Sequence, residues 1–206
     1  VPHMLLVRQT FADRLTQAPA KLRLRRLGGE RARDALSAES LDQALGKCGL
    51  FVGGASAMFG VWARGFQQHV NTLPLFDQQK SDKAGGDPNI RYYHSYWSIP
   101  PSQALVITVC PPPCDYWNFQ LNNHWMESLE YRQRQSVHVN STHAKVHGEG
   151  GKMVTIVVCG EKPRGGVGER ANWIDTSGHK FGTMTLRWVR PASDPCPQPQ
   201  CRVVPV

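Results

Sequence analysis

Residues 116–148 read YWNFQLNNHWMESLEYRQRQSVHVNSTHAKVHG, the part of the chain richest in side chains able to do chemistry. Four histidines (His124, His138, His143, His147) and four asparagines (Asn118, Asn122, Asn123, Asn140) lie among two Trp, two Tyr and one Phe. Aromatic faces beside amide and imidazole edges suit a polar organic or carbohydrate-like ligand, with rings to stack on and polar groups to orient it. The same mixture also suits the satisfied edge of a core, so it names a face and no reaction. The ligand-binding candidates here are Tyr116, Asn118, His124, Trp125, His138 and Asn140. A second cluster, ANWIDTSGH at 171–179, adds Asn172, Trp173, Asp175 and His179. Its Asp175 and Thr176 could equally close Asx- or hydroxyl-type turns.

For acid–base catalysis the candidates are His124 and Glu127, three residues apart beside Trp125. On a helix they would be neighbours, and burial beside the indole would raise the carboxyl pKa. A structural hydrogen-bonded pair is the alternative. His138, His143 and His147 are the candidate metal ligands, since imidazole is the commonest one. A five-residue step along a strand puts His138 and His143 on opposite faces, however, and no HExxH spacing is present. No cofactor is expected. An enzyme, metal-assisted through His124, Glu127, His138 and His143, stands as the second reading, and a structural or oligomerisation domain as the third. Ser136, Ser141 and Ser177 lack a GxSxG elbow. The run Gly165-Gly166-Val167-Gly168 is followed by no Lys-Ser/Thr pair, which argues against a phosphate loop.

The elements that must position these groups follow from periodicity. Residues 37–70 have helical spacing, with Ser37 as N-cap and Phe59, Trp62, Phe66 and Val70 at three- and four-residue steps. Gly53-Gly54 predicts a break into two helices, and the apolar stripe is expected to bury against the β part. After a connection through residue 90, strand signals dominate. Residues 91–98 are aromatic-rich, 104–109 and 153–158 are apolar runs, and 116–121, 137–140 and 183–189 alternate. With 19 Gly and 15 Pro supplying turns, the fold class is α+β: mainly an antiparallel β-sandwich or jelly-roll domain with an N-terminal helical flank. The boundaries are a basic lead-in at 1–36, a helical segment and connection at 37–84, the β domain at 85–190, and an unstructured proline-rich tail at 191–206.

Net charge is +8, and residues 1–36 hold eight Arg/Lys against three acids. No aromatics interleave the LRLRR run and no nucleic-acid module surrounds it, so a solvated segment is expected and nucleic-acid binding is not. No unbroken apolar run approaches 18 residues and no leader pattern opens the chain, so no membrane span is expected and a cytoplasmic location is favoured. The chain opens on Val1, which leaves room for a missing upstream domain; a homo-oligomer is the other expected assembly. The six cysteines (Cys48, Cys110, Cys114, Cys159, Cys196, Cys201) match neither redox nor zinc spacing and are read as free thiols.

HSYWSIPPSQALVITVCPPPCDYWNFQLNNHWMESLEY, HVNSTHA and NWIDTSGHKFGTMTLRW together resemble the family called domain of unknown function 1214, over about residues 85–190. FVGGASAMFGVWARGFQQHVNTLPLFDQ is similar to the segment preceding that domain in longer members. The resemblance implies a jelly-roll-like β domain, often with an upstream domain, and supplies no reaction, cofactor or catalytic residue. Where family loops often read DPGVxNW, this chain has EKPRGGVGERANW.

Overall fold

The computed structural model describes residues 5, 7, 9, 11, 15–25, 27, 37–133, 135–164, 169–193 and 195–206. Most of the basic lead-in and all of the run 165–168 lie outside them. The chain divides into two compact units, Val1–Leu50 and Phe51–Val206. In the first, residues 15–25 are exposed, with a turn at Leu15 and Thr16. Helix α1 (Ala38–Phe66) begins where Ser37 Oγ accepts the Ser40 N–H at 3.1 Å, satisfying one of the free donors of the first turn.

Contrary to the expected break, α1 runs unbroken through Gly53-Gly54 for 29 residues. Each interior glycine costs about 1 kcal/mol relative to alanine, but removes no backbone hydrogen bond. Nor is the apolar stripe buried as a whole. Gly60, Ala63 and Phe66 are buried, whereas Phe51, Val52, Met58 and Val61 are exposed. In the first unit Leu41, Leu45 and Leu50 are exposed as well. By length and composition α1 meets the criterion for a bilayer crossing. Its Gly, Ala and Ser dilute the stretch without adding charge, which is why no unbroken apolar run shows in the sequence.

The β part is a sandwich of two four-stranded sheets. One sheet orders β1 (Ile90–Ser98), β7 (Phe181–Val189), β3 (Tyr116–Leu121) and β4 (His138–Asn140). The other orders β6 (Asn172–Asp175), β5 (Val154–Cys159), β2 (Gln103–Val109) and β8 (Gln200–Pro205). All pairings are antiparallel except β5 with β6, which is parallel. Alternation decides the faces. Tyr93, Trp97, Trp117, Phe119, Leu121, Leu186 and Trp188 point inward to meet Leu105, Ile107, Ile156, Val158 and Ile174 of the opposite sheet. Each large side chain so buried contributes about 1.5–3 kcal/mol.

Two segments protect edges. Residues 69–76 run beside β1: Asn71 N–H donates to Tyr96 O and Phe76 N–H to Tyr92 O, both at 2.8 Å. Asn71 also exchanges side-chain hydrogen bonds with the Ser98 backbone, in a left-handed conformation that asparagine tolerates. The Ser95 hydroxyl donates to His69 O. The second segment corrects the expectation of an unstructured tail, because residues 200–205 form β8 on the edge of β2. Prolines lack N–H groups but keep carbonyls, and those are used: Tyr93 Oη donates to Pro197 O at 2.9 Å. Gln198 Nε2 donates to Leu73 O at 2.6 Å, and Cys196 is buried in the core.

Gly182 of β7 is required by a close approach. A Cβ there would strike the Asn122 carbonyl and the Trp97 indole, which are joined by a hydrogen bond from Trp97 Nε1 to Asn122 O at 3.2 Å. Gly182→Ala should therefore destabilise the domain by about 1–3 kcal/mol, the usual range for an overpacked site. Thermal unfolding would show this as a Tm several degrees lower; an unchanged Tm would mean that the loop at Asn122 yields freely.

Candidate functional site

A groove of about 910 Å³ lies in the second unit beside the outer face of β1. The end of α1 forms one wall with Val61, Trp62 and Phe66. Residues 69–76 form another, and α2 (Gln78–Lys83) supplies Lys80 and Lys83. Asp77 caps α2 by accepting the Lys80 N–H. The floor is Tyr92 and His94. Strand alternation explains the floor: with Tyr93, Ser95 and Trp97 turned inward, Tyr92, His94 and Tyr96 must turn outward.

His94 is the centre of an aromatic cluster. Its ring stacks on Phe66 (centroids 5.2 Å, planes 16° apart) and on Tyr92 (5.4 Å, 11°), and Phe76 meets it edge-on at 5.2 Å. Nδ1 shares a 3.1 Å hydrogen bond with Thr185 Oγ1. Burial holds the imidazole pKa down at about 4, and the nearby Arg187 guanidinium pushes the same way. At neutral pH the ring is therefore an uncharged member of an aromatic surface. Arg187 lies over the Tyr92 ring at 5.9 Å and donates from Nη1 to Asn118 Oδ1 and Gln120 Oε1, both at 3.1 Å.

The residues singled out in the sequence fall into three places. Tyr116, Asn118, His138 and Asn140 lie on the outer face of the β1-β7-β3-β4 sheet, where Asn118 pairs with Asn140 and with Arg187. Asn140 is buried, and its Oδ1 accepts the N–H of Thr142 and of His143, closing a turn. His124 and Trp125 lie in a loop, not a helix, with Met126 in a left-handed conformation. His124 Nδ1 shares a 3.0 Å hydrogen bond with Tyr96 Oη, and Trp125 packs edge-on to it. Glu127 instead accepts from Asn123 Nδ2 at 2.7 Å, so the pair expected on a helical turn takes separate partners.

Asn172, Trp173 and Asp175 lie on β6, in the other sheet. Asn172 is a clamp: Oδ1 accepts from Lys145 N–H, and Nδ2 donates to the carbonyls of Lys145 and Thr155. Trp173 Nε1 donates to Cys159 O, and Asp175 Oδ1 accepts the Ser177 N–H in an Asx turn. His179 is exposed on the following turn. The two clusters thus lie in different sheets, joined by the hydrogen bonds of Asn172 to the Lys145 backbone. Of the metal-ligand candidates, His138 and His143 are exposed and His147 shares a 2.8 Å hydrogen bond with Thr155. Among the described residues no three His, Cys, Asp or Glu side chains are grouped to hold a metal ion. Burial pushes the Cys201 thiol up to about 11 and raises Cys114 and Cys159, leaving these three as poor nucleophiles at neutral pH.

The groove residues Phe66, Phe76, Lys80, Lys83, Tyr92 and His94 were not among the candidates read from the sequence. The alternating RYYHSYW of β1 carries the available signal, because it places Tyr92, His94 and Tyr96 on one face.

Fold and groove together define an α+β β-sandwich domain with an aromatic cleft on one sheet. An uncharacterised protein from Burkholderia cenocepacia is similar at 42% identity and a TM-score of 0.85, over 96% of this chain and 52% of its own. The chain thus spans about half the length of that protein. A Vibrio parahaemolyticus protein matches at 13% identity and a TM-score of 0.40, over 82% of this chain and 47% of its own. No family model matches the chain, and no curated protein does.

The depressed His94 pKa couples stability to pH. The unfolded chain takes up a proton near 6.5 and the folded one only near 4. Stability from this group is complete above about pH 6.5 and falls as pH drops toward 4, by about 1.4 kcal/mol per pH unit. Urea unfolding between pH 7 and pH 4.5 should show this slope, and His94→Phe should flatten it. An equal slope in both proteins would show that the ring titrates normally.

Proposed function

We propose that this chain is a ligand-binding β domain whose site is the groove over Tyr92 and His94. The observation that supports the reading is an uncharged aromatic cluster (Phe66, His94, Tyr92, Phe76) opening into a cleft of about 910 Å³. A cleft of that size accepts a drug-sized molecule, and a largely apolar lining with few polar groups is the usual make-up of such sites. The lining favours a flat organic molecule over the carbohydrate suggested by the amide-rich stretch. The outer-sheet residues Asn118, Gln120 and Arg187 adjoin this floor and would orient its polar end. A relation to the domain of unknown function 1214 family is part of this proposal and rests on the sequence blocks between residues 85 and 190 that resemble it.

The neutral dye N-phenyl-1-naphthylamine tests the reading. It should gain fluorescence on binding one site per chain. Tyr92→Ala removes a ring outside the core, so it should weaken that binding tenfold or more while thermal unfolding stays cooperative. Unchanged affinity in the variant would exclude the groove as the site.

A second reading rests on a separate observation, the exposed Phe51, Val52, Met58 and Val61 of α1. Exposed apolar side chains grouped on one helix suit a contact surface, and here we propose a second copy of this chain as its occupant. Light scattering should then show a dimer that Met58→Asp dissociates. A wild-type monomer that floats with lipid vesicles would replace this reading with a membrane contact.

A further inference from the structure

The groove's charges point to more than an apolar pocket. Lys80 and Lys83 sit on its rim from one short helix, and Asp77 is the acid that lines it. Asp77 Oδ1 is already engaged by the Lys80 N–H at the start of α2. Among the described residues, the ammonium groups of Lys80 and Lys83 make no ion pair. Arg187, the cross-strand partner of Tyr92, lies over the Tyr92 ring on the same outer face of the sheet, so its positive field reaches that aromatic surface. A stack of aromatic rings beside two rim lysines and one capped carboxylate, with a guanidinium nearby, matches one ligand chemistry better than others.

We infer that the ligand is a planar aromatic or conjugated organic anion, its ring system against the Phe66–His94–Tyr92 stack and its acidic group toward Lys80 and Lys83. This rests on the reading of the groove as the binding site and adds the charge of the ligand. A cationic aromatic would meet repulsion from the two rim lysines, and a sugar would leave its hydroxyls against Phe66 and Phe76 without partners.

Two dyes with one ring system separate the inference from the reading beneath it. 1-Anilinonaphthalene-8-sulfonate is the anion, and N-phenyl-1-naphthylamine is its uncharged counterpart. Fluorescence titration at low salt should give at least tenfold tighter binding of the sulfonate. Lys80→Gln/Lys83→Gln should reduce that preference to threefold or less while the neutral dye binds as before, which also reports that the variant is folded. Raising the salt to 0.5 M should narrow the preference in the unsubstituted protein, as expected for partly exposed charges. Equal affinity for the two dyes, or a preference that survives the double substitution, overturns the anion assignment and leaves the groove reading standing. If the neutral dye binds without responding to Tyr92→Ala, or does not bind, the groove reading fails and the inference fails with it.

Discussion

Much of this structure hangs on the pleat of one strand. Side chains of β1 alternate between two environments because a strand turns successive residues to opposite faces. Tyr93, Ser95 and Trp97 are wholly buried, and their polar atoms tie distant parts of the chain together. Tyr93 Oη holds Pro197 ahead of the last strand, Ser95 holds His69 after α1, and Trp97 Nε1 holds Asn122 after β3. Tyr92, His94 and Tyr96 face the other way and form the ground of the groove and of the His124 loop. A one-residue slip in register would exchange these sets, burying the groove and exposing the core. The hydrogen bonds of residues 71 and 76 to the free edge of β1 help hold that register.

The groove has its character because its central polar group is desolvated. An imidazole stacked on Phe66 and Tyr92 gives up its charge more readily than its packing, so the site presents an aromatic surface near neutral pH. Positive charge is placed around that surface: Arg187 over Tyr92, and the two lysines where solvent reaches them. In the proposed binding role, an apolar contact would supply affinity while charge would select among ligands. The amide-rich stretch has a different part. Asn140, Asn123 and Asn172 spend their side chains on turns and a strand clamp.

Helix α1 departs from the economy of the sandwich. Its last turns are seated on the β domain, yet large apolar residues earlier along it face outward. The similar Burkholderia protein contains nearly as much chain again beyond the part matched here. A second copy of the chain is the occupant proposed for the exposed face, and the groove opens beside Val61 and Trp62 of the same helix. Binding in the groove and docking on α1 would therefore share residues, which makes the two properties neighbours in space.

Hydrophobic period determined most strands of the sandwich. The 116–121 and 183–189 alternations and the apolar runs at 104–109 and 153–158 became β3, β7, β2 and β5 with the expected faces inward, because period-2 burial is a local property of the chain. Local reading failed where the deciding energy was not local. The addition of residues 200–205 as β8 and the pairing of His124 with Tyr96 instead of Glu127 depend on distant partners. The candidate site shows the same division. Asparagine and histidine density marked residues able to bind a ligand, but most of the asparagines were taken up by backbone groups nearby. Only tertiary structure set Phe66 and Phe76 against the outward face of β1, since residues up to 28 positions apart meet there through strand pairing and helix packing. Sequence set the face of Tyr92 and His94; the fold decided what lies across from it.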